Sequence, residues 1–273
     1  MNRCLTADYH VHTAFSDDSQ TPMEDMIRRA LELGLSEICF TEHVDYGVKT
    51  VVNCDYPAYF AALDQMREKY RGKIAIRAGI EFGVQRETIP QYQADLQTWP
   101  FDFVILSCHQ VDNQEFWNGQ FQEGKRQEEF HAAYYQAIYD VMEGYQGYSI
   151  LGHLDMIKRY DPYGLYPDQK ILPLVEKILR RAIAGGKGIE VNTSSFRYGL
   201  QDLTPSESIL ELYHELGGRV LTLGSDAHQV PYLADHFPEV REILREILRE
   251  ILREIGFREF CTFEGMRPLF HPL

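Results

Sequence analysis

Along this chain, short apolar runs alternate with segments of helical patterning, and almost every run stops at a histidine or an acidic residue. The first run ends in Asp8-Tyr9-His10-Val11-His12. In an extended chain, side chains two apart share a face. His10 and His12 are therefore expected to point the same way, with Asp8 beside them. Two imidazoles so placed suit one metal ion, and an aspartate on that face can orient a ring through its second nitrogen.

The pattern continues in order. Thr21-Pro22-Met23-Glu24 reads as a helix start, with a capping threonine and proline at the first helical position, and Gly34 is a natural stop. Residues 37–41 form a second strand that runs into Glu42-His43, a helix covers 55–70, and a third strand, 73–80, ends in Glu81. A short helix near 88–98 precedes a fourth strand, 101–107, that ends at His109. A long insertion with Phe116 and Trp117 comes next, then an amphipathic helix over 126–143. The fifth strand, 148–151, ends at His153 and is followed by a helix over 168–184. The sixth, 188–191, ends at Asn192. Thr204-Pro205-Ser206-Glu207 reads as a capping box that opens a helix to Leu216, and the seventh strand, 219–223, leads to Asp226 and His228.

Such alternation implies a parallel sheet, and at 273 residues a closed α/β barrel is favoured over an open sheet. The polar residues gather where the strands end, which is the face on which such barrels carry chemistry. Histidines with separate structural roles would have no reason to collect there. His131, His214, His236 and His271 lie outside this pattern and read as ordinary packing or surface residues.

Composition bounds the function. With 44% hydrophobic and 25% charged residues, the chain reads as one globular domain over 1–273. Neither a signal pattern nor a membrane-spanning apolar run is visible, so a soluble cytoplasmic protein is expected. Five cysteines without a Cys-x-x-Cys pair fit reduced thiols. A formal charge of −14 without a Lys/Arg cluster argues against a nucleic-acid partner. Any phosphate on a substrate must then be met by local positive charge.

Asp8-x-His10-x-His12-Thr13, Thr41-Glu42-His43, Gly79-Ile80-Glu81, Ser107-Cys108-His109, Gly152-His153-Leu154-Asp155 and Gly224-Ser225-Asp226-Ala227-His228 resemble, in order, the motifs of the polymerase and histidinol phosphatase (PHP) family. The resemblance spans nearly the whole chain. It implies a distorted (β/α)7 barrel with up to three divalent metals at the C-terminal ends of the strands. Within the family, the segments 81–85, 108–112 and 191–197 look most like its stand-alone histidinol-phosphate phosphatases.

Carried over by position, the resemblance implies one metal on His10, His12, Glu81 and Asp226, and a second on Glu81, His109 and His153. A third would use His43, His228 and an acid of the Ser16-Asp17-Asp18 turn, Asp17 being preferred and Asp18 the alternative. Mixed imidazole and carboxylate ligands suit Zn²⁺, Fe²⁺ or Mn²⁺. Three divalent cations would bring the formal charge from −14 to about −8. Such a cluster activates a bridging water and neutralises phosphoryl oxygens, so no protein nucleophile is needed.

Glu81, Asp226, His228 and Arg197 are thus the candidate catalytic residues, and Arg159, Arg197, Lys158 and Trp117 the candidate substrate contacts. An arginine fork matches phosphate. Glu42 and Asp155, beside ligand histidines, are expected to orient rings or to donate a proton. The expected substrate is L-histidinol phosphate, its imidazole meeting Trp117 and Phe116. A phosphotyrosine-protein phosphatase or a nuclease is the alternative within the family, and a purely structural metal cluster the alternative outside it.

Residues 241–256 repeat Arg-Glu-Ile-Leu. A four-residue repeat drifts by about 40° per copy on an α-helix, so its apolar stripe cannot face one partner throughout. The helix either extends past the barrel or turns its apolar side into a contact between copies, and it looks about two repeats too long for the family. Deleting 245–252 rotates the remainder of the helix by about 80°. Because these residues come after His228, the deletion is expected to leave metal content unchanged. Elemental analysis of the folded deletion variant checks this, and a lost metal would place part of the site in the repeats.

Overall fold

The computed structural model describes residues 6–47, 52–200, 202–251 and 259–273, with the backbone alone for 245–251. The chain lays down β1 (Ala7–Val11), α1 (Met23–Glu32), β2 (Glu37–Val44), α2 (Tyr56–Lys69), β3 (Ala75–Gly83), α3 (Ile89–Thr98) and β4 (Phe103–Ser107). A small ribbon, β5 (Gln110–Val111) and β6 (Gln114–Glu115), leads to α4 (Gln127–Gly144). Then come β7 (Ile150–Leu151), α5 (Asp168–Ala184), β8 (Gly188–Asn192), α6 (Glu207–Glu215), β9 (Leu221–Gly224), α7 (Phe237–Ile251) and a hairpin, β10 (Glu259–Glu264) and β11 (Arg267–Pro272).

Seven strands pair in parallel in the order β1-β2-β3-β4-β7-β8-β9. Between the two edges, His12 N donates to Ala227 O at 2.9 Å and Ala227 N to His10 O at 3.3 Å. These bonds bring β1 against the segment after β9 and close the sheet into a distorted (β/α)7 barrel. Strands covered on both faces read as continuous apolar runs, as in β4, where every residue is buried. The helices cover the outside with one face each: α5 buries Ile171, Val175, Ile178, Leu179 and Ala182, a spacing of three and four.

Helix starts differ from expectation in instructive ways. Asp55 caps α2 as its position suggests, accepting from Ala58 N at 3.1 Å. Thr21 caps nothing; its hydroxyl donates to the His228 carbonyl at 2.9 Å and ties the entry of α1 to the last loop of the site. Thr204 does not cap either: its carbonyl accepts from Asn192 N at 2.7 Å, its buried hydroxyl makes no hydrogen bond, and α6 begins after Ser206. Strand β7 is only two residues long. At Gly152 a Cβ would stand 2.4 Å from Ile105 Cγ2 and 2.7 Å from Ser107 Oγ, so only glycine fits where the chain turns into His153.

The hairpin has no counterpart among the elements expected from the sequence. Its Phe260, Cys261 and Phe263 form the floor of the barrel with Ala7, Tyr9, Phe103, Ile105 and Ile150. Arg77 fastens it from the barrel side, reaching Glu37 at 3.0 Å and Glu264 at 2.8 Å. Tyr9, whose hydroxyl bonds Glu37, belongs to this floor, whereas its neighbour His10 belongs to the site above. A bulge in β1, where Asp8 to Val11 spans only Ile38 to Phe40 of β2, lets both turn inward.

Cys39, Cys54, Cys108 and Cys261 are free and buried, and Cys4 lies outside the described residues. The repetitive helix runs to Ile251 and buries Val240 and Leu244; the rest of the repeat lies outside the described residues. Among the described residues no helix is long and apolar enough to cross a membrane. Phe263, 4.9 Å from the Phe103 ring, is the centre of the floor. Phe263→Ala is expected to lower the unfolding free energy by about 3–5 kcal/mol in denaturant titration while metal stoichiometry is retained.

Candidate metal centre

The site is built around one carboxylate. Glu81, on β3 and fully buried, has imidazoles against both oxygens. Oε2 lies 3.0 Å from His10 Nε2, 3.4 Å from His12 Nε2 and 3.1 Å from His43 Nδ1. Oε1 lies 3.1 Å from His109 Nε2 and 2.8 Å from His153 Nε2, and accepts from Ser107 Oγ at 2.6 Å. Burial works to raise the Glu81 carboxyl, but the charges of His10, His43 and His109 outweigh it and hold it well below the usual range.

Sheet register explains the convergence. His43 stands directly beside Glu81 in the β2–β3 pairing, and Glu81 beside Ile105 of β4, two residues before Ser107. His109 and His153 follow the ends of β4 and β7. Asp226 completes the ring, its Oδ1 3.5 Å from His12 Nε2 and 3.8 Å from His10 Nε2. Asp226 and His153 both carry positive φ, 54° and 23°. Such backbone costs about 1–3 kcal/mol per residue and is held only by its surroundings.

A third grouping lies at the mouth. His12 stacks on His43 and on His228, each with centroids 4.2 Å apart. The acid that meets them is Asp18 rather than the preferred Asp17: Asp18 Oδ2 is 3.1 Å from His228 Nε2 and 3.6 Å from His43 Nε2. Burial works to raise the Asp18 carboxyl, yet the adjoining His228 ring and the charge of His43 bring it down to about 2. The turn explains the choice of acid, because Ser16 Oγ is anchored on Glu42 at 2.7 Å and Ser19 Oγ on the His228 carbonyl at 2.8 Å.

The proposed substrate contacts divide. Arg159, with a 3% exposed side chain, places Nη1 3.7 Å from Asp226 Oδ2 and donates to Ser194 Oγ, and its buried Nε has no partner. Arg197 donates to the carbonyls of Ser225 at 2.8 Å and Asp226 at 2.7 Å, so two of its donors brace the loop. Lys158 is turned to Asp155 Oδ2 at 2.6 Å and to the Leu203 carbonyl. Trp117, 41% exposed, stands edge-on to Tyr160 at 6.5 Å, while Phe116 is buried beside Phe121 and Tyr134.

A family model described as "PHP domain" matches residues 8–194, more than half of the chain. The chain belongs to the PHP family. A histidinol-phosphatase of Lactococcus lactis is 32% identical over 271 residues, which cover 95% of each protein. A probable histidinol-phosphatase of Thermotoga maritima is 29% identical over 238 residues, 85% of this chain and 88% of its own. Among solved structures, histidinol phosphate phosphatase from Lactococcus lactis, complexed with zinc, L-histidinol and phosphate, superposes with a TM-score of 0.86. It is 30% identical and is matched over 96% of this chain and 98% of its own.

The residues of this PHP barrel fit metal ions. His12 Nε2, His43 Nδ1 and His228 Nε2 are buried and make no hydrogen bond, although carboxylate oxygens lie close by. Burial, reinforced by the charges of His228, His43 and His10, holds the His12 ring well below its usual pKa, in the neutral form that ligates. Among the described residues, five groups of three ligand atoms lie within 4.8 Å of one another, and Glu81 belongs to two of them.

The residues that orient these rings are not the expected ones. Asp8 meets no imidazole; it accepts from Ser225 N at 3.0 Å and Ala234 N at 2.9 Å, because the β1 bulge takes it off the face of His10. Glu190 of β8 instead takes His10 Nδ1 at 2.6 Å, and Asp45 takes His109 Nδ1 at 2.8 Å. Glycines make room for both pairs. A Cβ on Gly224 would lie 2.0 Å from Glu190 Oε1, and one on Gly83 1.8 Å from Asp45 Oδ1. Glu42 accepts from Thr13 N and Ser16 Oγ, and Asp155 from Lys158 and Ser206 N, so neither touches a ligand ring.

Two metals should therefore depend on Glu81 and one on Asp18. Elemental analysis of zinc-loaded protein is expected to show Glu81→Gln losing more than one ion per chain, Asp18→Asn losing one and Asp17→Asn none. Loss in the Asp17 variant with retention in the Asp18 variant would reverse the assignment.

Proposed function

We propose that this chain hydrolyses L-histidinol phosphate to L-histidinol and inorganic phosphate, as a metal-dependent phosphomonoesterase. The observation that carries the reading is Glu81, whose two oxygens face two different sets of imidazoles, the arrangement of a carboxylate that bridges two cations. Likeness over nearly the full length to histidinol-phosphatases supports the substrate.

In this reading His10, His12, Glu81 and Asp226 would hold one ion, Glu81, His109 and His153 a second, and His43, His228 and Asp18 a third. The donor set suits zinc, the metal bound in the Lactococcus enzyme, and equally iron or manganese. Bound there, such ions supply a water activated near neutral pH and positive charge against the phosphoryl oxygens. The protein contributes the rest. Arg159, nearly buried with Nε unspent, presents a planar fork to the phosphate. Arg197 holds the Ser225 and Asp226 carbonyls, and through them the Asp226 carboxylate. Trp117 and Tyr160 offer aromatic surface to the imidazole. Residues 1–273 act as one domain, and its buried free thiols suit the reducing cytoplasm.

The test compares phosphate release from L-histidinol phosphate, a phosphotyrosine peptide and a short single-stranded DNA at equal enzyme and zinc. L-histidinol phosphate is expected to give the highest kcat/KM; preference for either of the others overturns the substrate. Arg159→Met is expected to lower kcat/KM at least about tenfold, or ~1.4 kcal/mol of transition-state stabilisation, with metal retained. Arg197→Met is expected to lower bound metal as well, because the Asp226 loop loses its brace.

A further inference from the structure

A cavity of about 340 Å³ lies where α4, α5, the turn Met156–Tyr160 and the approach to α6 meet, and no metal-centre histidine or Glu81 lines it. Three of its lining residues, His131, Asp155 and Ser206, are each 2% exposed. Each has one buried polar atom without a hydrogen-bond partner: His131 Nδ1, Asp155 Oδ1 and Ser206 Oγ. A buried polar atom left unpaired destabilises the fold, and a ligand that pairs with it recovers that cost.

The three atoms share one character. His131 Nε2 lies 2.7 Å from Asp161 Oδ2, which takes the ring proton and leaves Nδ1 as a lone pair. Burial lowers the His131 pKa against the pull of Asp161, which keeps the ring neutral. Asp155 spends Oδ2 on Lys158 at 2.6 Å and on Ser206 N at 2.9 Å, and its Oδ1 is a free acceptor. The Ser206 hydroxyl can accept as well. Of the charged residues lining the cavity, Asp155, Asp168 and Asp202 outnumber Lys158, itself paired with Asp155. Tyr135, Tyr166, Pro167 and Ile171 add apolar and aromatic wall, and Leu165, 69% exposed, shows that the cavity reaches the surface.

A metal ion does not fit: among the described residues, every group of three ligand atoms within 4.8 Å of one another belongs to the Glu81 site or its immediate neighbours. We propose that this cavity binds a small primary ammonium compound with an apolar or aromatic body. The ammonium supplies N–H donors to the three acceptors and positive charge to an acidic wall, and the body packs on the tyrosines.

The experiment titrates the zinc-loaded full chain, with saturating inorganic phosphate to occupy the metal centre, by calorimetry. Phenethylamine is the probe and 2-phenylethanol, the same body without the ammonium, the control. Phenethylamine is expected to bind one per chain and at least about tenfold tighter than the alcohol. Ser206→Ala and His131→Leu are each expected to weaken it at least threefold. Equal affinities for amine and alcohol, or unchanged binding in Ser206→Ala, would leave a water-filled cavity and overturn the proposal. Amine binding that disappears when phosphate is added would move it to the metal centre, with the same result. If His131→Leu does not fold, Ser206→Ala decides alone.

Discussion

A carboxylate buried among five imidazoles is the constraint on which the rest of this structure depends. Glu81 sits in the middle of the barrel with no exposure, and desolvation alone would force it to take up a proton. It stays ionised only if positive charge is delivered to both its oxygens. His10, His12 and His43 surround one oxygen and His109 and His153 the other. Protonated His10, His43 and His109 deliver that charge, each ring drawn up by its carboxylate neighbours, and cations held by the same residues would deliver it with those rings neutral.

Holding that arrangement takes a second layer of anionic and polar groups that never face the cluster's centre. Glu190 and Asp45 aim His10 and His109 from behind. Asp8 and Arg197 grip the loop that carries Asp226, one through the backbone and side chain of Ser225, the other through two carbonyls. The positive φ at Asp226 makes that grip necessary, because an unbraced loop would relax into the ordinary region and withdraw the carboxylate. Glu42 does the same for the loop after β1, holding Thr13 and Ser16.

The reach of its periodicities decides how much the sequence discloses. The strands, the barrel and the histidines gathered around Glu81 are visible in it because each of these histidines ends an apolar run, and run ends survive errors of two residues in strand length. Glu190 is hidden because it lies within a run, Gly188-Ile189-Glu190-Val191-Asn192, where an isolated acid reads as noise. The signal is its companion: strict alternation puts Glu190 on the face of Asn192, inside the barrel. Asp45 has the same signal, two residues after His43. Asp8 misleads because alternation fails across a bulge that no local residue announces. Asp17 and Asp18 sit in a turn, where no period ranks one above the other. The hairpin escapes because it pairs only with itself and with a floor assembled from distant strands.

The bulge in β1 also ties the two ends of the barrel together. Without it, Ala7 and Tyr9 would share the inner face with Val11, and His10 and His12 would point into the helix layer. With it, Tyr9 faces inward at the level of Phe103 and Phe263, and His10 faces inward one level higher, beside Glu81. The floor meets the site most directly through β1: Tyr9 is pinned by Glu37 and by the Phe263 backbone, and the next residue along is His10, beside Glu81. A change in floor packing reaches His10 through one peptide bond, whereas His109 and His153 stand a few residues further along, past the floor residues Ile105 of β4 and Ile150 of β7. That step of one residue makes β1 the shortest link between the packing of the floor and the geometry of the site.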